Sequence, residues 1–184
     1  MKKILERAIG VLCLAALMVG VYFLYRPLFG GNDQTHDDKE QQQQEIENPA
    51  PNFTVTDKNG KQISLKDMRG KPVVVNFWAT WCPYCLQEMP DLEQAYLEYG
   101  NDVVFMIVNA TTANETQEKA SAYIAEQGYT FPVYYDTQQS AAHAYGLSSL
   151  PYTYFINADG SLAYTHRGMI SADVLEQNIQ KIKK

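Results

Sequence analysis

Two thiols, Cys82 and Cys85, are separated only by Pro83 and Tyr84. Disulfide exchange needs a thiolate as its nucleophile, so the surroundings that favour a thiolate mark the reactive sulfur. Pro83 suits the first turn of a helix, where its missing N–H costs nothing. Cys82 then sits at a helix N-terminus, beside unpaired N–H groups and the positive end of the macrodipole. Cys85, one turn on, is placed to close a disulfide with Cys82 or to resolve a mixed one. Other chemistries fit less well. A structural disulfide closing so short a loop removes little unfolded-state entropy. A zinc half-site needs more ligands, yet the remaining cysteine, Cys13, lies in an apolar segment and His36, His143 and His166 are scattered. Two unrelated reduced thiols do not account for the strand before and the helix after. The pair reads as a redox dithiol that uses no metal and no organic cofactor.

The elements that must hold it follow from hydrophobic pattern. Val73, Val74 and Val75 open an apolar run through Phe77 and Trp78, the signature of a strand buried on both faces. After Cys85, Leu86, Met89, Leu92, Tyr96 and Tyr99 recur at helical spacing; Pro90 should kink that helix. Upstream, Phe53 to Leu65 has the alternation and the Asn59-Gly60 turn of a β-hairpin, and Asp67 to Gly70 reads as a short turn. Downstream, Val103 to Val108 predicts a buried strand, Glu115 to Gln127 a helix ended by Gly128, and Phe131 to Tyr135 a shorter strand. Thr137 to Tyr145 predicts a short helix with His143 at the surface. Tyr152 to Asn157 and Leu162 to His166 predict two strands around an Asn157–Gly160 turn, and Ala172 to Ile182 a last helix. Strands alternating with helices, closed by a hairpin and a helix, predict an α/β fold: a mixed central sheet flanked by helices.

The chain has 184 residues, 46% of them hydrophobic, with a net charge of −6. That balance carries no nucleic-acid footprint, and three cysteines give no disulfide framework, so a hydrophobic core must carry the fold. Residues 1–7 hold Lys2, Lys3 and Arg7. Ala8 to Tyr25 carries no charge and spans about 27 Å as a helix, enough to cross a bilayer core, with Tyr22, Tyr25 and Arg26 at the far interface. Residues 8–26 therefore read as an uncleaved signal-anchor helix; a cleaved signal peptide is the rival, and no small-x-small site follows Tyr22. A lipoprotein site at Cys13 lacks the small residue expected before it. The basic N-terminal end places residues 1–7 in the cytoplasm and the rest of the chain outside the cell membrane, as a single-pass protein. Residues 27–50, acidic and rich in Gln, read as a flexible tether, leaving residues 51–184 as the folded domain.

The run F-W-A-T-W-C-P-Y-C resembles the active site of the thioredoxin superfamily. The flanking P-N-F-T-V-T-D-K-N-G-K and G-K-P-V-V-V-N-F-W blocks, and Glu88-Met89-Pro90 after the second cysteine, narrow the resemblance to membrane-tethered TlpA/ResA-like thiol-disulfide oxidoreductases, over Pro49 to Lys184. The resemblance implies a thioredoxin-like fold and a cis Leu150–Pro151 bond beside the dithiol, with the Leu150 backbone pairing with bound substrate. It also implies a functional carboxylate at Glu88, which lies three residues after Cys85 and so on the same helix face. A carboxylate there raises cysteine pKa values and relays protons; the alternative for Glu88 is an ordinary solvated helix residue. Trp81 and Tyr84 offer apolar surface for substrate around an exposed sulfur, or simple packing.

Two departures from thioredoxin itself stand out. Asn76 replaces the buried aspartate of the central strand, so that proton route is absent and Glu88 becomes its substitute. Pro83-Tyr84 resembles the glutaredoxin dipeptide, which leaves the direction of electron flow open. The resemblance implies reduction of protein disulfides, those of apocytochrome c among them, with an integral-membrane thiol transporter as electron donor. The alternatives are an oxidant of secreted proteins using the same cysteines in reverse, and a thiol peroxidase. The last is disfavoured because Val75 and Ala79 stand where the peroxidatic P-x-x-x-T-x-x-C pattern requires Pro and Thr.

Overall fold

The computed structural model describes residues 47–184. The proposed anchor helix and most of the tether lie outside these residues; among the described residues no helix is long and apolar enough to cross a membrane. Seven strands form one sheet: β1 (Thr54–Thr56), β2 (Gln62–Ser64), β3 (Val73–Trp78), β4 (Val104–Asn109), β5 (Val133–Tyr135), β6 (Tyr152–Ile156) and β7 (Leu162–Arg167). Their order is β2-β1-β5-β4-β3-β6-β7. The centre, β3, β4 and β5, is parallel, and both flanks are antiparallel. Helices α1 (Pro83–Tyr99), α2 (Gln117–Gln127), α3 (Ser140–Ala144) and α4 (Ala172–Ile182) complete the domain. This is the thioredoxin-like α/β arrangement.

Strand β3 is buried along its whole length, and its alternation feeds two separate cores. Val74 and Trp78 pack with Cys85, Met89 and Leu92 of α1 and with Leu175 and Ile179 of α4. Val73, Val75 and Phe77 face the opposite side, with Phe53, Met106, Tyr154 and Ala141 of α3. The period of two puts Asn76 on the first face, beneath α1. A buried strand polar group needs partners, and the partners Asn76 finds belong to the site.

Local differences from the sequence expectations have plain causes. The segment expected as a turn winds into a 3-10 helix at Leu65–Met68, entered through a capping box between Ser64 and Asp67. Pro90 lies inside α1, as its place in the sequence implies, and the helix runs on to Tyr99; one lost donor is offset by a helix face that buries Met89 and Leu92 completely. The short helix begins only at Ser140, because the Asp136 carboxylate accepts from the backbone N–H groups of Ala141 and Ala142 and fixes the start.

Candidate active site

The site is built at the C-terminal end of β3. A tight turn follows Trp78: the N–H of Cys82 donates to the Ala79 carbonyl at 3.1 Å, and the N–H of Ala110, after β4, donates to the Trp78 carbonyl at 2.9 Å. Cys82 is the N-cap of α1 and Pro83 its first residue. The Cys82 sulfur accepts from the backbone N–H of Cys85 at 3.2 Å, one of the donors that a helix N-terminus leaves free. Cys82 and Cys85 are joined in a disulfide, their Cα atoms 5.3 Å apart. Cys85 is fully buried and Cys82 keeps 4% of its surface. The sulfur expected to stand exposed is therefore nearly covered, and access to it runs past its neighbours. Trp81 and Tyr84 are those neighbours, 59% and 62% exposed. They are not core residues.

Pro151 follows a cis Leu150–Pro151 bond and immediately precedes β6. Its carbonyl accepts from the N–H of Gly168 at 2.9 Å. Leu150 and Trp81 share the wall of a groove of about 270 Å³, whose other lining includes Thr111, Thr112, Gln139 and Leu147. Tyr84 is not part of that lining; it stands on the first turn of α1.

Glu88 is 1% exposed, so it is not a solvated helix glutamate. Its Oε1 accepts from Asn76 Nδ2 at 2.7 Å and its Oε2 from the backbone N–H of Ile170 at 2.8 Å. Asn76 Nδ2 also donates to Thr153 Oγ1 on β6 at 3.0 Å. Burial outweighs these two donors and, with a smaller push from Asp91, lifts the Glu88 carboxyl to about 7. The segment Gly168–Ile170 thus ties the Pro151 and Glu88 sides of the site together.

Leu150 packs against the core cluster that holds Cys82 and Cys85 and shares a groove wall with Trp81; Pro151 follows Leu150 in the chain, and Glu88 lies one helical turn past Cys85. Four further residues were not singled out from sequence as site residues: Thr153 and Ile170, which complete the Glu88 pocket, and Asn109 and Glu115, which hold the turn before Cys82. Asn109 Nδ2 donates to Glu115, and Glu115 in turn accepts from Thr80. Among the described residues no group of His, Cys, Asp or Glu side chains is arranged to hold a metal.

Residues 46–165 match the AhpC/TSA family. Over 180 residues the chain is 38% identical to the thiol-disulfide oxidoreductase ResA of Bacillus thuringiensis, covering 98% of this chain and 96% of that one. It is 30% identical over 174 residues to ResA of Bacillus subtilis, covering 95% and 90%. Among solved structures, the pneumococcal exposed lipoprotein thioredoxin Etrx1 from Streptococcus pneumoniae superposes with a TM-score of 0.63 at 29% identity, over 71% of this chain and 98% of that one. With the fold, the disulfide pair at a helix N-terminus and this likeness over nearly the whole length, the chain belongs to the AhpC/TSA family and, within it, to the ResA thiol-disulfide oxidoreductases.

Proposed function

We propose that the chain reduces protein disulfides outside the cytoplasmic membrane, tethered by residues 8–26, with CxxCH segments of apocytochrome c among its substrates and an integral-membrane thiol transporter as its electron donor. In the reduced protein the Cys82 thiolate attacks one sulfur of a substrate disulfide, forming a mixed disulfide and releasing the other substrate sulfur as a thiolate. Cys85 then attacks Cys82 Sγ, restoring the Cys82–Cys85 disulfide and freeing the second substrate sulfur. Two electrons pass to the substrate, and each departing sulfur takes up a proton. Cys85 must lose its own proton in a site closed to water. In this reading Glu88, buried one turn further along α1, receives it.

The observation that carries this reading is the buried carboxyl one turn beyond Cys85, lifted to about 7. An acid with that value exchanges protons readily at neutral pH. Trp81, Leu150 and Pro151 bind the polypeptide around the substrate cysteine, and Tyr84 meets it from the helix side. The donor bond from Cys85 N–H to Cys82 Sγ favours the attacking thiolate.

The test is the reduction potential of the Cys82–Cys85 couple in the full chain, beside activity of Cys82→Ser. A value near about −270 mV supports a reductant, and one approaching about −120 mV turns the reading to an oxidant of secreted proteins. Cys82→Ser should abolish disulfide reduction. Rapid consumption of hydrogen peroxide by the wild type would establish a thiol peroxidase instead.

A further inference from the structure

Glu115 is completely buried, and no step above uses it. It lies between β4 and α2, next to Thr116, the N-cap of α2. Its Oε1 accepts from the backbone N–H of Thr80 at 2.8 Å and from Asn109 Nδ2 at 2.8 Å. Its Oε2 accepts from the Thr80 hydroxyl at 2.6 Å. All three donors are uncharged. A carboxylate taken from water without a cation is costly, and the bonds it makes must offset that cost.

Those bonds converge on the two walls of the groove beside the dithiol. Thr80 immediately precedes Trp81, the exposed indole on one side, and stands two residues before Cys82. On the other side, the Thr112 N–H donates to the Glu115 carbonyl at 2.8 Å, and the Glu115 N–H reaches back to Thr112. Thr111 Oγ1 bonds Asn109, the residue that Glu115 also grips. Thr111, Thr112 and Trp81 all line the groove. The Glu115 side chain therefore holds the turn that presents Cys82 directly and reaches the facing loop through Asn109, while its main chain closes the Thr112 turn.

We propose that Glu115 is a positioning residue for disulfide exchange. It sets the width of the groove and the orientation of Trp81 and Cys82, and it acts through geometry, not through its charge. The substitution Glu115→Gln separates the two. Its amide oxygen can accept from Thr80 N–H and Asn109 Nδ2, and its NH₂ can donate to the Thr80 hydroxyl, which can turn to accept. The three contacts persist and the charge is gone. Glu115→Ala loses all three.

This inference rests on Cys82 being the nucleophile, so Cys82→Ser is measured beside it. In the full chain, with insulin as the disulfide substrate and dithiothreitol as reductant, Glu115→Ala should raise KM about tenfold, since small misplacements near a reacting group are costly. Glu115→Gln should stay within about twofold of wild type, and its Cys82 alkylation-versus-pH profile should keep the wild-type midpoint. Should Glu115→Ala not fold, Thr80→Ala removes one of the three bonds and should raise KM by a smaller factor. Wild-type KM in Glu115→Ala or, where that variant does not fold, in Thr80→Ala overturns the positioning role. So does a Glu115→Gln variant with a displaced alkylation midpoint and no rescue. Residual turnover in Cys82→Ser overturns instead the reading of the nucleophile.

Discussion

The dithiol lies between two buried glutamates that are used in opposite ways. Glu88, past Cys85 on α1, receives one amide and one backbone N–H, from β3 and from the segment before α4. Burial prevails there, and the carboxyl is lifted to about 7. Glu115, on the other flank, receives three donors, two from Thr80 after β3 and one from Asn109 at the end of β4. The residue type is the same, and both side chains are closed to water. What differs is what the donors are attached to. At Glu88 they are one strand side chain, Asn76, and one main-chain N–H, that of Ile170 ahead of α4, and two donors do not offset the burial that favours the protonated form. At Glu115 two of the three come from Thr80, in the turn that presents Cys82, and the third from Asn109 at the end of β4, so the carboxylate braces that turn against the sheet.

The contrast predicts different responses to truncation. Glu115→Ala leaves the Thr80 and Asn109 donors buried without a partner and should cost about 3 kcal/mol in denaturant unfolding, while Glu115→Gln should cost under about 1 kcal/mol. A loss of similar size in both would mean that the charge, not the bond geometry, holds the loops.

Glu88, in contrast, should show itself in the pH dependence of stability. Its carboxyl is raised from 4.5 to about 7 on folding. Between those values the folded state holds the proton and the unfolded state has released it, so stability falls as pH rises through that window. Below about 4.5 both states are protonated and the penalty vanishes; above about 7 it is complete, at most about 3 kcal/mol. Glu88→Gln removes the slope. Unfolding curves at pH 4, 6 and 8 should therefore find the variant gaining on wild type with rising pH; parallel curves would break the comparison. Disulfide exchange by Glu88→Gln should in turn lose its pH dependence near neutrality.

The sequence carried the central half of this site because its parts are local. The apolar run of β3, Pro83 as first helical residue and the spacing of Cys82, Cys85 and Glu88 all lie in one stretch, where periodicity and capping rules operate. Helix α4 also runs over Ala172–Ile182, as its pattern predicts. Glu115 was legible only as the start of a helix, because its partner Thr80 is 35 residues away and no spacing rule links a loop carboxylate to a backbone N–H. The same holds for Ile170, which reaches Glu88 across 82 residues through its main chain, so its side-chain type carries no sign of the bond. The cis Leu150–Pro151 bond came through resemblance alone, since X-Pro bonds are seldom cis on general grounds.

The smallest predicted effect probes why Glu88 is held as it is. Asn76 Nδ2 donates both to Glu88 and to Thr153 Oγ1, while Asn76 Oδ1 is buried with no protein partner. The amide is thus oriented by its donor end alone, and Thr153 supplies one of the two acceptors that keep that end toward the carboxylate. Thr153→Val keeps the shape of the side chain and removes the acceptor. The amide is then free to turn its oxygen to Glu88, which disfavours the ionised form and favours the protonated one, able to donate to that oxygen. The Glu88 titration, followed by carbon NMR of its side-chain carboxyl, should move upward by about half a unit, with a stability loss of about 1 kcal/mol or less. A downward shift would mean that Thr153 competes with Glu88 for the Asn76 amide. An unchanged titration would mean that the strand backbone fixes the amide without help from β6.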